Sequence, residues 1–120
     1  MKEIKSTNPE LVQLILFLKK QSREKNVAIW LDVAKYLAKA RRQRVAVNLS
    51  RINRYTQKSD VVVVPGKILG AGSLDHAITV AAFGASEKAK EKLAAAKAKY
   101  LSIPELVETN PKGSNVKIIR

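Results

Sequence analysis

A chain of 120 residues with no cysteine excludes disulfide frameworks, thiolate metal centres and cysteine catalysis, and fits a reducing interior. Its 23 Lys plus Arg against 10 Asp plus Glu leave a net charge of +13, which points to a polyanionic partner, nucleic acid or an anionic membrane, rather than to a basic domain with a merely solvated surface. The length suits one domain over residues 1–120. The longest apolar run, Leu11 to Leu18, is far short of the ~20 residues that a spanning helix needs, and no apolar leader segment follows Met1.

Asn8-Pro9-Glu10 predicts a helix start: Asn8 caps, Pro9 suits the first helical position, and Glu10 meets the positive end of the dipole. Leu11, Leu14, Ile15 and Leu18 follow the i, i+3, i+4, i+7 stripe. Val12, Leu16 and Phe17 widen it, which calls for deep packing or a partner. Its polar face is too thin for a helix lying in a membrane surface, so a core role is expected. A second helix is predicted over Val27 to Arg42, with Trp30, Val33, Ala34 and Leu37 inward and Asp32, Lys35, Lys39 and Arg42 outward.

From Lys35 to Lys58 the chain carries Lys35, Lys39, Arg41, Arg42, Arg44, Arg51, Arg54 and Lys58 without a single acid, and six of its seven arginines precede residue 55. Dipole complementarity at a helix end accounts for one or two of these cations, and leaves Arg51 and Arg54 unexplained. Val45 to Leu49 predicts a short strand, and Ser50 is a candidate cap for a brief helix containing Ile52 and Tyr55. On that helix Arg51, Arg54 and Tyr55 stand three or four apart and can share a face, with Asn48 and Asn53 beside them. Arginine forks, amides and an aromatic plane together suit RNA phosphates, sugars and bases. For Tyr55 the pattern leaves two roles open, a stacking plane or the edge of the core.

Asp60 to Ser86 holds four of the five glycines and the only histidine, His76. Val61 to Val64 is apolar throughout, as expected of a strand covered on both faces. Pro65-Gly66 and Gly70-Ala71-Gly72 are expected turns flanking a short extended Lys67-Ile68-Leu69, and Ile78 to Phe83 is a second strand. Ser86 caps a predicted helix to about Ala98 with Ala89, Leu93 and Ala96 inward. Ser102-Ile103-Pro104-Glu105 forms a capping box for a short helix through Glu108, ended by Asn110-Pro111. Val116 to Ile119 is the last expected strand. Two helices followed by interleaved strands and helices make an α/β domain with an N-terminal helical part.

The glycine-rich stretch is a scaffold on this reading. A dinucleotide loop wants a third Gly or Ala where Asp75 stands, and no GK[ST] is present. Ser73, Asp75 and His76 have the residue types of a hydrolytic triad, but they are adjacent, and neighbours on a chain are expected to point apart. One histidine and scattered acids give no expected metal site. His76 is expected at a turn or strand edge with a satisfied hydrogen bond.

Asn48-Leu49-Ser50-Arg51-Ile52-Asn53-Arg54-Tyr55, Val61-Val62-Val63-Val64-Pro65-Gly66-Lys67, Leu69-Gly70, Gly72, Leu74-Asp75-His76 and Val80-Ala81-Ala82-Phe83 together resemble the archaeal and eukaryotic large-subunit ribosomal protein L-eighteen-e family, at archaeal-type length. The Leu-Gly-x-Gly-x-Leu pattern, the apolar strand and the Ser-capped helix are also similar to the related ribosomal protein L-fifteen. One departure is Gly84-Ala85-Ser86, where relatives often carry a larger residue before the serine. The resemblance implies an irregular β-β-α superhelical core and a structural, non-enzymatic place in the cytoplasmic ribosome. It implies large-subunit rRNA and neighbouring large-subunit ribosomal proteins as partners, with no cofactor, small-molecule substrate or membrane. The residues expected to meet RNA are Arg41, Arg42, Arg44, Arg51 and Arg54 at phosphates, and Asn48, Asn53 and Tyr55 at sugars or bases. Lys58 and Lys67 are outer members. Two rivals share part of the pattern: a DNA-binding basic module outside the ribosome, and a small hydrolase using Asp75 and His76.

Overall fold

A computed structural model describes residues 8–39 and 45–120. In chain order it contains α1 (Pro9–Lys25), α2 (Ala28–Leu37), β1 (Val45–Asn48), α3 (Leu49–Tyr55), β2 (Val61–Leu69), β3 (Thr79–Ala85), α4 (Glu87–Ala95), β4 (Lys99–Ser102), α5 (Ile103–Thr109) and β5 (Val116–Ile118). The five strands form one sheet in which every pairing is parallel: β1 with β2, β2 with β3, β3 with β4, and β5 with β2. The α/β class and the N-terminal helical part are as expected.

β2 is the axis of the sheet. Its Val62, Val63 and Val64 are fully buried, and because successive strand residues point to opposite faces, they serve two separate cores. Val63 joins Ala81 and Leu101 under α1, α2 and α5, where Leu11, Ile15, Leu18, Trp30, Val33 and Leu37 pack. Val62 and Val64 join Val80 and Ala82 under α3 and α4, where Leu49, Ile52, Ala89 and Leu93 pack. The continuous valine run is thus the signature of a strand sandwiched between helical layers.

Pro65-Gly66 does not turn the chain, contrary to the sequence expectation. β2 runs through it to Leu69. The pairing with β3 shifts by one residue there, Val64 facing Ala82 and Lys67 facing Gly84, so the pair forms a bulge. A bulge is where a central strand tolerates a residue without an N–H. It also divides one edge of β2 between two partners. Val61–Val63 pair with β5, and Gly66–Leu69 pair with β1. β1 approaches so closely that a Cβ on Gly66 would lie 2.0 Å from the Val45 carbonyl oxygen.

The caps follow the sequence in most places. The Asn8 side chain accepts from the Glu10 and Leu11 amides, Ser86 accepts from the Ala89 amide, and Ser102 and Glu105 complete a capping box. Three boundaries differ. The second helix ends at Leu37, well before the expected Arg42, which lies outside the described residues. Ser50 is not a cap: α3 begins at Leu49 with Asn48 in the cap position, and the Ser50 amide instead donates to the Ala71 carbonyl at 3.1 Å. The fourth helix stops at Ala95, because Lys97 adopts a left-handed conformation (φ 60) and the Ala98 amide folds back to the Leu93 carbonyl. The chain then enters β4, a strand the sequence reading did not include.

The helical part is tied to the far end of the chain by Trp30. The side chain is fully buried, and its Nε1–H donates to the Pro111 carbonyl at 2.8 Å. Beside it Gly113 (φ 64) lies against Ile29, where a Cβ would sit 2.5 Å from Cγ2.

Candidate nucleic-acid interface

α3 is amphipathic over two turns. Leu49 and Ile52 are buried, while Arg51, Arg54 and Tyr55 are exposed. Tyr55, for which two roles were left open, is 52% exposed. The Arg51 guanidinium lies 5.2 Å from the centroid of the Tyr55 ring, within cation–π range. The Arg51 Nε–H donates to the Arg120 carbonyl oxygen at 3.0 Å.

That bond brings in residues the basic run did not include. β5 pairs with the first half of β2, which sets Lys117 and Arg120 beside α3. The Arg120 guanidinium lies 5.1 Å from the Tyr36 ring centroid, and Lys39 Nζ lies 5.0 Å from the same centroid. Two shallow grooves result. One, of about 610 Å³, is lined by Arg51, Tyr55, Lys117, Ile118, Ile119 and Arg120. The other, of about 550 Å³, is lined by Asp32, Lys35, Tyr36, Lys39, Ile118 and Arg120. Ile118 and Arg120 belong to both and form the partition between them.

The charge here is only partly compensated. Lys117 pairs with Asp60 at 2.8 Å. The lysine hydrogen bond, followed by the Gln57 amide, holds the Asp60 carboxyl below its ordinary range. Among the described residues, Arg51, Arg54 and Arg120 form no ion pair with an acid, whereas α4 offsets Lys90 with Glu87. Lys58 stands exposed in the turn after α3, and Lys67 stands exposed on β2 just past the bulge. Arg41, Arg42 and Arg44 lie outside the described residues.

Asn48 and Asn53 hold loops in place. Asn48 Oδ1 accepts from the Ala71 amide at 3.3 Å, and Asn53 Oδ1 accepts from the Asp75 amide at 3.1 Å. Lys92 Nζ closes the same turn by donating to the Gly70 and Gly72 carbonyls at 2.7 and 2.6 Å. The glycine-rich stretch is therefore bound to the start of α3 and to α4, and fixes how α3 presents its outer face.

Asp75 and His76 are closer than sequence adjacency suggested. Asp75 Oδ1 meets His76 Nδ1 at 2.7 Å, and His76 Nε2 meets the Thr56 hydroxyl at 2.7 Å. Each side chain folds back from its own backbone position, so the expectation that neighbours point apart fails here. Yet the third member is Thr56, not Ser73. Thr56 is buried and its hydroxyl donates to the Ile52 carbonyl at 2.7 Å, which suits a latch on the end of α3 and not a nucleophile open to substrate. The histidine bond draws the Asp75 carboxyl below its ordinary range. Among the described residues no cluster of three His, Asp or Glu could hold a metal ion, and no helix is long and apolar enough to cross a membrane.

Of the residues that build the two grooves, Tyr36 had a readable signal, since it lies between Lys35 and Lys39 at the start of the basic run. Lys117 and Arg120 had none, because only the β2–β5 pairing brings them to α3.

Comparison with known proteins identifies the family of the chain. The chain matches the family described as "Ribosomal protein 60S L18 and 50S L18e" over residues 1–120. It is 52% identical over 119 residues to the large ribosomal subunit protein eL18 of Methanococcus maripaludis, covering 99% of each chain. It is 46% identical over 117 residues to eL18 of Methanoregula boonei, covering 98% of this chain and 97% of that one. It is 44% identical over 119 residues to eL18 of Methanothermobacter thermautotrophicus, covering 99% and 98%. With a match from end to end, the chain belongs to the ribosomal protein 60S L18 and 50S L18e family.

Proposed function

We propose that this chain is a structural, non-catalytic constituent of the large subunit of the cytoplasmic ribosome, acting as one domain. It binds large-subunit rRNA through the basic surface of α3 and β5 and touches neighbouring large-subunit proteins. The observation that carries the reading is the set of exposed arginines, Arg51, Arg54 and Arg120, that have no acidic partner among the described residues. Uncompensated guanidinium groups on a fixed frame are matched by phosphates, which they meet with two-pronged hydrogen bonds. Arg54, Lys58 and Lys67 extend the surface, and Arg41, Arg42 and Arg44 add charge from the sequence between α2 and β1. Asn48 and Asn53 keep their side-chain NH2 groups for sugar or base acceptors while their oxygens hold the loops. The names of the relatives support the large-subunit assignment.

Binding works by neutralising phosphates and releasing their counterions. With about six phosphates met on single-stranded stretches, the log–log dependence of affinity on salt has a slope of about −4 to −5. Two measurements test the reading. The chain should sediment with the large subunit in cell extract, and structured RNA should outcompete duplex DNA for the purified protein. Absence from the large-subunit peak, or a salt-independent affinity, sinks the rRNA reading. A preference for duplex DNA moves the surface to a DNA-binding role.

A further inference from the structure

The chemistry of the two grooves goes beyond phosphate binding. Cations alone suffice for the backbone of a duplex, whose base faces are stacked and hidden. This surface instead sets an aromatic ring beside each groove, Tyr55 in one and Tyr36 in the other, and lays a guanidinium over each ring. Tyr55 is one of only two large hydrophobic residues among those described that are more than half exposed, and it lies among uncompensated cations. A ligand that meets both features carries negative charge and flat apolar faces together. Unpaired nucleotides have that combination: bases stack on tyrosine rings and on guanidinium planes while the phosphates pair with the same cations. Both grooves are shallow and open to solvent, which suits the face of a flat ring rather than an enclosed ligand. The partition at Ile118 and Arg120 divides them, so the surface offers two aromatic places side by side rather than one trough.

We infer that the α2–α3–β5 surface takes an unpaired segment of RNA, with one base stacked at Tyr55 and Arg51 and a second at Tyr36 and Arg120. The Arg51–Arg120 hydrogen bond sets the spacing between the two stacks. This inference rests on the rRNA-binding reading and names the form of RNA bound.

The test uses the full chain and two synthetic RNA hairpins with equal numbers of phosphates. One is fully paired, and the other carries a short adenine bulge with 2-aminopurine in it. The protein should bind the bulged hairpin about tenfold or more tightly and quench the 2-aminopurine. Tyr36→Ala and Tyr55→Ala should each lose about tenfold on the bulged hairpin and much less on the paired one, with the salt slope unchanged. Tyr36→Phe and Tyr55→Phe should keep wild-type affinity. Quenching in the unmodified protein is read independently of whether any variant folds. Equal affinity for the two hairpins, absence of quenching, or alanine variants that bind like wild type would overturn the stacking inference while leaving rRNA binding intact. Failure to bind either hairpin overturns both.

Discussion

Arg51 and Arg120 are 69 residues apart in sequence and joined by a 3.0 Å hydrogen bond from the Arg51 Nε–H to the Arg120 carbonyl oxygen. The bond orients one cation over Tyr55 and brings the other to Tyr36, so charge from the middle and from the last strand of the sheet acts as a single surface. If both guanidinium groups meet phosphates, Arg51→Ala and Arg120→Ala should each reduce the magnitude of the salt slope by about 0.7. Filter binding across a potassium chloride series reads this directly. Arg23→Ala, at the exposed end of α1, should leave the slope unchanged.

Gly66→Ala should destabilise the fold strongly, by roughly 3 kcal/mol, beyond ordinary overpacking, because the new methyl meets backbone and not a flexible side chain. The nearest atoms are the Val45 carbonyl oxygen at 2.0 Å and its carbon at 2.8 Å. Gly84→Ala is the matched control. No atom lies within 4 Å of a Cβ built there, and the change should be within about 0.5 kcal/mol of wild type. Urea unfolding followed by circular dichroism separates the two.

Acid should loosen the latch between α3 and the loop before β3. The Asp75 carboxyl is drawn down mainly by its hydrogen bond to His76, and so titrates below the ordinary 3.8 in the folded chain. A depressed carboxylate contributes stability that is fully present above the unfolded value and lost as pH falls through the folded one. The Asp60 and Glu105 carboxyls shift the same way, the first through Lys117 and the second through the Ser102 amide. Unfolding midpoints should therefore be flat above about pH 5 and fall below about pH 4. Asp75→Asn should flatten part of that fall. An acid profile identical to wild type in this variant would remove Asp75 from the account.

Trp30 is the single tryptophan and is fully buried. Its emission should be blue-shifted in the native state and should move to the red on unfolding, which makes it a probe of the α1–α2 layer. Trp30→Phe removes both ring volume and the hydrogen bond to Pro111, and should cost about 2–3 kcal/mol. Measured by circular dichroism, a cost near zero would show that the Pro111 contact does not anchor the helical part.

Much of this architecture is legible from the sequence, and the exceptions have local causes. The Leu11-Leu14-Ile15-Leu18 stripe and the Val61–Val64 run are read correctly because burial on one helix face, or on both strand faces, leaves a direct imprint on residue type. Pro65-Gly66 misleads because a bulge and a turn need the same two residues for the same reasons, a missing N–H and room for close backbone approach. β4 is hidden because Lys97-Ala98-Lys99 continues the composition of the preceding helix, and the left-handed residue that stops it is a lysine, not a glycine. In the candidate site, Arg51, Arg54 and Tyr55 follow from spacing on one short helix. Lys117 and Arg120 depend on which strand pairs with which half of β2, and that choice is made by tertiary packing alone.

The split edge of β2 couples the stability of the fold to what the grooves hold. Strand β1 occupies one half of that edge and β5 the other, so neither groove exists until the last strand has docked. An RNA segment held in the grooves therefore binds the folded chain and not the unfolded one. By mass action it adds stability that grows with the logarithm of its concentration. The bound nucleic acid thereby favours the form of the chain in which β5 is seated on the sheet.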